Sequence, residues 1–345
     1  MRQVLMIEAD TDVQELLTRT LEERVELSIS KSERDSIGFL AENRPDLILL
    51  SSAVAGTDGR ALYQTFLTLS DRKDIPVLLL IRQGETNLEE KAFDLGYADL
   101  ITVPCAQALI LNRVNTQLEL AARREQARKN LEYQDTISVS IAELVECRDN
   151  TTGGHLKNTT AYFKILLNEV IRREKFKGRI AEEDIRDLIR SAPLHDIGKI
   201  GINDDILRKA SALDYNEFEY MKTHTILAKD TFEKIMKVTG ESRFLRLARD
   251  LAYCHHERWD GTGYPNGLKG EEIPFYARVL AIADVYDALT SHRAYKKAYT
   301  HGDAVEIIRQ GKGTLFDPDL VELFIQINDQ FEQALGKKYK NGAES

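Results

Sequence analysis

Short apolar runs and helical stripes take turns along the first hundred residues. Val4–Ile7 is a continuous apolar run of strand length, and Val13, Leu16, Leu17 and Leu21 then fall at i, i+3, i+4 and i+8, one face of a helix. The alternation continues: Asp46–Leu50 follows Pro45, Val77–Ile81 follows Pro76 and Leu100–Thr102 precedes Pro104, with helical stretches near Arg60–Leu69 and Asn87–Leu95. Strands separated by helices need crossover connections, which build a parallel sheet covered on both faces. The pattern predicts a doubly wound α/β domain with a five-stranded parallel sheet over residues 1–106.

From Gln107 to Val145 the chain contains neither Pro nor Gly and is rich in Ala, Glu, Arg, Gln and Leu. Leu111, Val114, Leu118 and Ala121 keep heptad-like spacing before charge takes over, which predicts a long helix over 107–145. Two readings of it stay open. It pairs with a second copy, so that the protein is a homodimer through this helix or the sheet domain, or it is a solvated connector packed on its own domain. Residues 146–345 are helical almost throughout, with helices expected at Asn158–Arg173, Glu182–Ser191, Tyr215–Met236, Ser242–His255, Phe275–Ser291 and Asp303–Gln310, and a last one opening at Asp317-Pro318 and running through Phe324. That is an all-α bundle whose inner faces are the natural place for a site.

At 345 residues, with 43% hydrophobic and 30% charged positions, the chain fits two soluble globular domains. Its longest apolar runs, such as Val77–Ile81, are strand-sized and far from the roughly 18 residues a membrane helix requires. Met1–Glu8 lacks the features of a secretory signal, so the cytoplasm is expected. Cys105, Cys147 and Cys254 have no Cys-x-x-Cys spacing and read as reduced thiols. The net charge of −9 argues against binding a nucleic-acid polymer, while leaving room for a small anionic ligand held by local basic groups.

The candidate chemistry lies in the helical part. Of seven histidines, five occupy telling places: His155, His195, His224, His255 and His256. His195-Asp196 stands in Pro193-Leu194-His195-Asp196-Ile197-Gly198-Lys199, and Asp284 ends the apolar run Leu280-Ala281-Ile282-Ala283. A buried aspartate is costly unless it is paired or bound to a cation, and nearby imidazoles supply neutral ligands. Adjacent His255-His256 followed by a glycine-rich turn have the composition of a metal centre beside a shaped substrate loop.

Two resemblances sharpen these readings. Pro45-Asp46-Leu47-Ile48-Leu49-Leu50, the loop ending Gly56-Thr57-Asp58-Gly59, and Gly96-Tyr97-Ala98-Asp99 before the last strand resemble a response-regulator receiver domain over about the first 105 residues. The residues that carry receiver chemistry are replaced. Ser51 stands at the phosphoacceptor position, Glu8-Ala9-Asp10 at the acidic Mg²⁺ pocket, Ile81 at the switch hydroxyl and Val103 at the lysine before the proline. A serine cannot form the acyl phosphate that a carboxylate forms. The resemblance implies a pseudo-receiver used for contacts.

The helical part resembles an HD-GYP domain, the branch of the HD superfamily that degrades the bacterial second messenger cyclic di-GMP. The match rests on His195-Asp196-Ile197-Gly198-Lys199-Ile200-Gly201 and on His255-His256-Glu257-Arg258-Trp259-Asp260-Gly261-Thr262-Gly263-Tyr264-Pro265. It continues through Ala277-Arg278, Asp284-Val285-Tyr286-Asp287 and Phe316-Asp317-Pro318. The resemblance implies hydrolysis of cyclic di-GMP to linear pGpG, and on to GMP, by a metal-bridged hydroxide; the alternative is a cyclic di-GMP receptor or scaffold that signals through protein contacts.

It further implies that His195, Asp196, His224, His255, His256 and Asp284 hold two divalent metals, Fe or Mn foremost and Zn, Ni or Mg otherwise, with Asp196 as the bridge and His155 in the upstream histidine position. Thr151 stands where some members have a glutamate for a third metal, which argues for two. Lys199, together with Asp196, is the implied catalytic group that stabilises developing charge. Arg293 and Lys296 match a basic pair for substrate phosphate, although His292 and Ala294 depart from the usual Asp and Pro. Tyr264 belongs to the turn that shapes the pocket mouth or a surface for a protein partner. Trp259 is expected to anchor packing rather than to stack on a base, and Asn203, Ala210 and Ser211, where Pro, Pro and Gly are usual, suggest a looser loop after the His-Asp turn.

Overall fold

A computed structural model of the chain describes residues 1–55, 65, 74–149, 154–291 and 298–341. Its residues divide into two compact units, Met1–Glu132 and Tyr133–Ser345.

In the first unit, β1 (Arg2–Ile7), β2 (Val25–Ser30), β3 (Leu47–Ser51), β4 (Val77–Arg82) and β5 (Asp99–Val103) form a parallel sheet in the order β2-β1-β3-β4-β5. Strands β3 and β4 are buried along almost their whole length, as expected of central strands covered on both faces. Ile7, Leu50, Leu79 and Ile81 point to one apolar layer and Met6, Leu49, Leu78 and Leu80 to the other. Helix α1 (Thr11–Leu21) is capped by the Asp10 carboxylate and α2 (Glu33–Glu42) by Ser32, each satisfying backbone N–H groups that have no partner within the helix. A single turn, α3 (Ser52–Ala55), follows β3, and α4 (Thr86–Lys91) is shorter than the stretch expected over Asn87–Leu95. The helix expected at Arg60–Leu69 and the loop ending at Gly59 lie outside the described residues, apart from residue 65. β2 has no counterpart in the apolar pattern, because it is an edge strand in which Glu26, Ser28 and Ser30 interrupt the run.

The acidic pair Glu8 and Asp10 has a positive charge of the same unit beside it. The Arg82 guanidinium lies 3.0 Å from Asp10 Oδ2 and 3.5 Å from Oε2 of the buried Glu8. Ser51 Oγ is buried without a hydrogen-bond partner among the described residues, whereas Ser52 donates to Glu85 at 2.8 Å.

Helix α5 (Gln107–Glu146) runs 40 residues from the first unit into the second. In the first unit its Ile110, Val114 and Leu118 join the sheet core. In the second, Ala142 packs with Leu156, Leu194, Ala228 and Phe232, while Tyr133, Ile137, Ile141 and Leu144 are exposed.

The second unit continues with α6 (His155–Arg172), α7 (Ile185–Ser191), α8 (Asp204–Leu207), α9 (Tyr215–Thr239), α10 (Arg243–Cys254), α11 (Phe275–Thr290), α12 (His301–Gln310) and α13 (Pro318–Asn341). The expected helix from Glu182 begins as a three-residue 3₁₀ turn, Glu182–Asp184, before α7. The last helix continues well past Phe324, because Ile327, Phe331 and Leu335 extend its buried face at helical spacing. The main core lies between α6, α11, α12 and α13, where Tyr162 stacks on Phe331 and meets Tyr286 edge to face. The three cysteines are unpaired.

Arg82→Ala leaves the buried Glu8 carboxylate without its counter-ion, so a lower Tm is expected. Millimolar Mg²⁺ should then raise the Tm of the variant by more than that of the wild type; equal Mg²⁺ responses would show that Arg82 does not occupy the cation's place.

Candidate metal centre

Helix ends and tight turns deliver the ligand groups to one place. His195 and Asp196 lie between two 3₁₀ turns, Ala192–Leu194 and Ile197–Gly201. The second turn is pressed against α9 at Gly198, where a Cβ would collide with the backbone carbonyl of His224 and the amide of Ala228. Only glycine permits that approach, and the approach sets His195 and Asp196 against His224. His255 follows the last turn of α10 and His256 comes next. His155 is the first residue of α6, and Asp284 and Asp287 lie one turn apart on α11.

Among the described residues the ligand atoms form two groups, Asp196 with His224, His255 and His256, and His155 with His195 and Asp284; within each group they lie within 4.8 Å of one another. Asp196 faces both. Its Oδ1 is 3.4 Å from His224 Nε2 and 3.7 Å from His255 Nε2, and its Oδ2 is 3.5 Å from His195 Nε2. His155 Nε2 and His195 Nε2 lie 3.4 and 3.8 Å from Asp284 Oδ1.

The buried atoms left without partners test whether a cation fits. Among the described residues, His195 Nε2, His224 Nε2 and Asp196 Oδ1 find no hydrogen-bond partner although they are shielded from solvent. The opposite nitrogens are occupied: Nδ1–H of His195, His224 and His255 donates to the carbonyls of Ala192 (2.8 Å), Met221 (2.8 Å) and Ala252 (3.0 Å). That fixes the tautomer and turns each Nε2 lone pair inward. An inward-facing carboxylate among inward-facing lone pairs is the donor set of a divalent metal site, and these residues can hold one.

The electrostatics agree. Burial holds His195 below the usual imidazole range, brings His224 down to about 4, and with its imidazole neighbours holds His256 well below. These rings are neutral at pH 7, as ligands must be. Burial also opposes the charge of Asp196, but the Lys199 ammonium leads the effects that outweigh it and keep the carboxyl well below its usual range. His155 differs. Burial again opposes charge, yet the Asp287 carboxylate accepting from Nδ1 at 2.7 Å, together with Asp284, lifts it to about 9.

Lys199 Nζ lies 2.9 Å from Asp196 Oδ2 and 2.6 Å from Asp149 Oδ2. Beside the cluster, the buried Glu257 carboxylate accepts from the backbone N–H of Asn266 (2.8 Å) and Leu268 (3.0 Å) and so ties down the glycine-rich turn. The turn sets the Tyr264 ring 4.8 Å from that of His256. Trp259 packs instead beside the buried Arg278–Asp317 ion pair, with the guanidinium 5.6 Å from its ring. Thr151, Arg293 and Lys296 lie outside the described residues. The looser loop expected around Asn203–Ser211 is in part a short helix: Asn203 caps α8, and Arg148 grips the carbonyls of Ile200 and Ile202 and the Asp204 carboxylate.

Sequence reasoning did not single out Asp149, Glu146 or Asp287. Glu146 Oε1 accepts the backbone N–H of His155 at 2.9 Å. Asp287 could have been found, since it follows Asp284 by one helical turn; Asp149 carries no local signal.

The HD domain family model matches residues 153–320. Over 338 residues the chain is 32% identical to a Vibrio cholerae protein named "Probable cyclic di-GMP phosphodiesterase", covering 93% of this chain and 77% of that one. It is 32% identical over 311 residues to the cyclic di-GMP phosphodiesterase response regulator RpfG of Xanthomonas campestris, covering 88% and 81%. It is also 35% identical over 192 residues to 3′3′-cGAMP-specific phosphodiesterase 2 of Vibrio cholerae, covering 56% and 34%.

Gly198→Ala forces α9 away from the His-Asp turn. It is expected to destabilise the second unit by about 1–3 kcal/mol or more and to lower bound metal in atomic absorption; a fully stable variant with unchanged metal content would show that the close approach is dispensable.

Proposed function

The chain belongs to the HD-GYP branch of the HD-domain family, with a receiver-like unit ahead of it, and from that membership we propose that it hydrolyses one phosphodiester bond of cyclic di-GMP to give linear pGpG, with GMP as the further product. The observation that carries this reading is the pair of adjoining ligand groups joined by Asp196, with buried donor atoms turned inward and unsatisfied.

Asp196, His224, His255 and His256 hold one divalent cation and His155, His195 and Asp284 a second, each with Asp196 in reach; Fe and Mn suit this mixture of imidazole and carboxylate donors. Such a pair, when bound, lowers the pKa of water and neutralises charge on phosphate oxygens. The protein's own groups do the rest. The backbone carbonyls of Ala192, Met221 and Ala252 hold three imidazoles in the ligating tautomer. Lys199 adds a fixed positive charge beside Asp196, and the Tyr264 ring walls the side next to His256. Arg293 and Lys296 are assigned to substrate phosphate on the motif alone.

The intact donor set favours turnover over a purely receptor-like role, because a scaffold would not need unsatisfied Nε2 atoms held in one tautomer. The exposed stripe Tyr133, Ile137, Ile141 and Leu144 on α5 supports pairing with a second copy. No helix among the described residues is long and apolar enough to cross a membrane, and the cytoplasm is the proposed place of action.

Anaerobically purified protein is expected to carry two divalent metals per chain and to convert cyclic di-GMP to pGpG on chromatography, and Asp196→Asn to abolish both. Tight cyclic di-GMP binding without turnover in the metal-loaded protein would refute the enzyme, and preferential cleavage of 3′3′-cGAMP would reassign the substrate.

The raised pKa of His155, about 9, means that a cation must displace its proton at neutral pH. Below about pH 9 the apparent metal affinity should therefore fall by up to about tenfold per pH unit, with proton release visible by calorimetry in buffers of different ionisation enthalpy. Affinity independent of pH between 7 and 9 would confine His155 to a structural pairing with Asp287.

A further inference from the structure

The contacts of Lys199 reach beyond a fixed positive charge near substrate. Its ammonium lies between two carboxylates, 2.6 Å from Asp149 and 2.9 Å from Asp196, and all three side chains are at least four-fifths buried. On Asp196 it takes Oδ2 only, leaving Oδ1 toward His224 and His255. An ammonium held by Asp196 alone would compete with any cation for Oδ2 and would repel that cation through a medium that screens poorly.

We propose that Asp149 is a positioning residue of the metal centre: it supplies Lys199 with a second counter-ion, so that Asp196 can turn both oxygens to cations while the lysine stays in place and charge-compensated. This rests on the reading of the cluster as a metal site. The place of Asp149 in the chain suits the task. It follows directly on the end of α5, flanked by Arg148, which grips Ile200, Ile202 and Asp204, and shortly after Glu146, which holds the backbone of His155. A short segment thus braces the turn that carries Lys199 and the helix that begins at His155.

The role is separable from simple structural support by removing both charges together. With Mn²⁺ alone as the probe and the full chain, Asp149→Asn is expected to weaken binding about 10- to 100-fold, the range found for outer partners of metal ligands. The double variant Asp149→Asn/Lys199→Met is expected to recover most of that loss, although not turnover, because the uncompensated ammonium is gone. Asp149→Glu should keep near wild-type affinity. Unchanged Mn²⁺ affinity in Asp149→Asn overturns the proposal, and so does a double variant that binds no more tightly than Asp149→Asn. If Asp149→Asn does not fold, Lys199→Met decides from the other side: affinity equal to or above wild type supports the proposal, and a loss overturns it. Wild-type protein that takes up no Mn²⁺ would instead refute the metal-centre reading, and this inference with it.

Discussion

The site of the helical unit answers to one electrostatic constraint, a carboxylate turned into a largely buried nest of imidazoles. Asp196 is largely buried, and the His224 and His256 rings beside it are neutral at physiological pH. The Lys199 ammonium meets one oxygen and leaves the other unsatisfied. The arrangement is therefore incomplete as protein alone, and its geometry serves that incompleteness: backbone carbonyls hold the rings, Gly198 lets two backbones touch, and Glu257 secures the turn beside His256.

That constraint also explains how stability and binding divide between the two sides of the unit. The aromatic cluster of Tyr162, Tyr286, Phe324 and Phe331 keeps α6, α11 and α13 together without reference to the metal site. Asp284 and Asp287 project from the same α11 that contributes Tyr286 to this core, so one helix joins a dry, well-packed face to a charged one. A ligand set held on such a frame can be rigid before any cation arrives.

Much of this was legible in the sequence, for identifiable reasons. Central strands are apolar on both faces and announce themselves, whereas the edge strand β2, with Glu26, Ser28 and Ser30, does not. Metal-type ligands are conspicuous because histidine is scarce in this chain and an aspartate closing an apolar run is costly. The supporting groups are common residue types whose partners are set by tertiary approach: Asp149 meets a lysine 50 positions away, and Glu146 meets a backbone amide 9 positions away. The extension of the last helix to Asn341 was likewise hidden, because its buried stripe, Ile327, Phe331 and Leu335, is thinly spaced among polar residues.

Arg82, lodged between Glu8 and Asp10, bears on time rather than on structure. An acyl phosphate on an aspartate is a timer, because it hydrolyses at a rate of its own and the signal fades even after its source has gone. On the reading of the first unit as a pseudo-receiver, with Ser51 at that position and the Arg82 guanidinium beside the two carboxylates, no such clock would run, and a message would last only as long as its source stays bound.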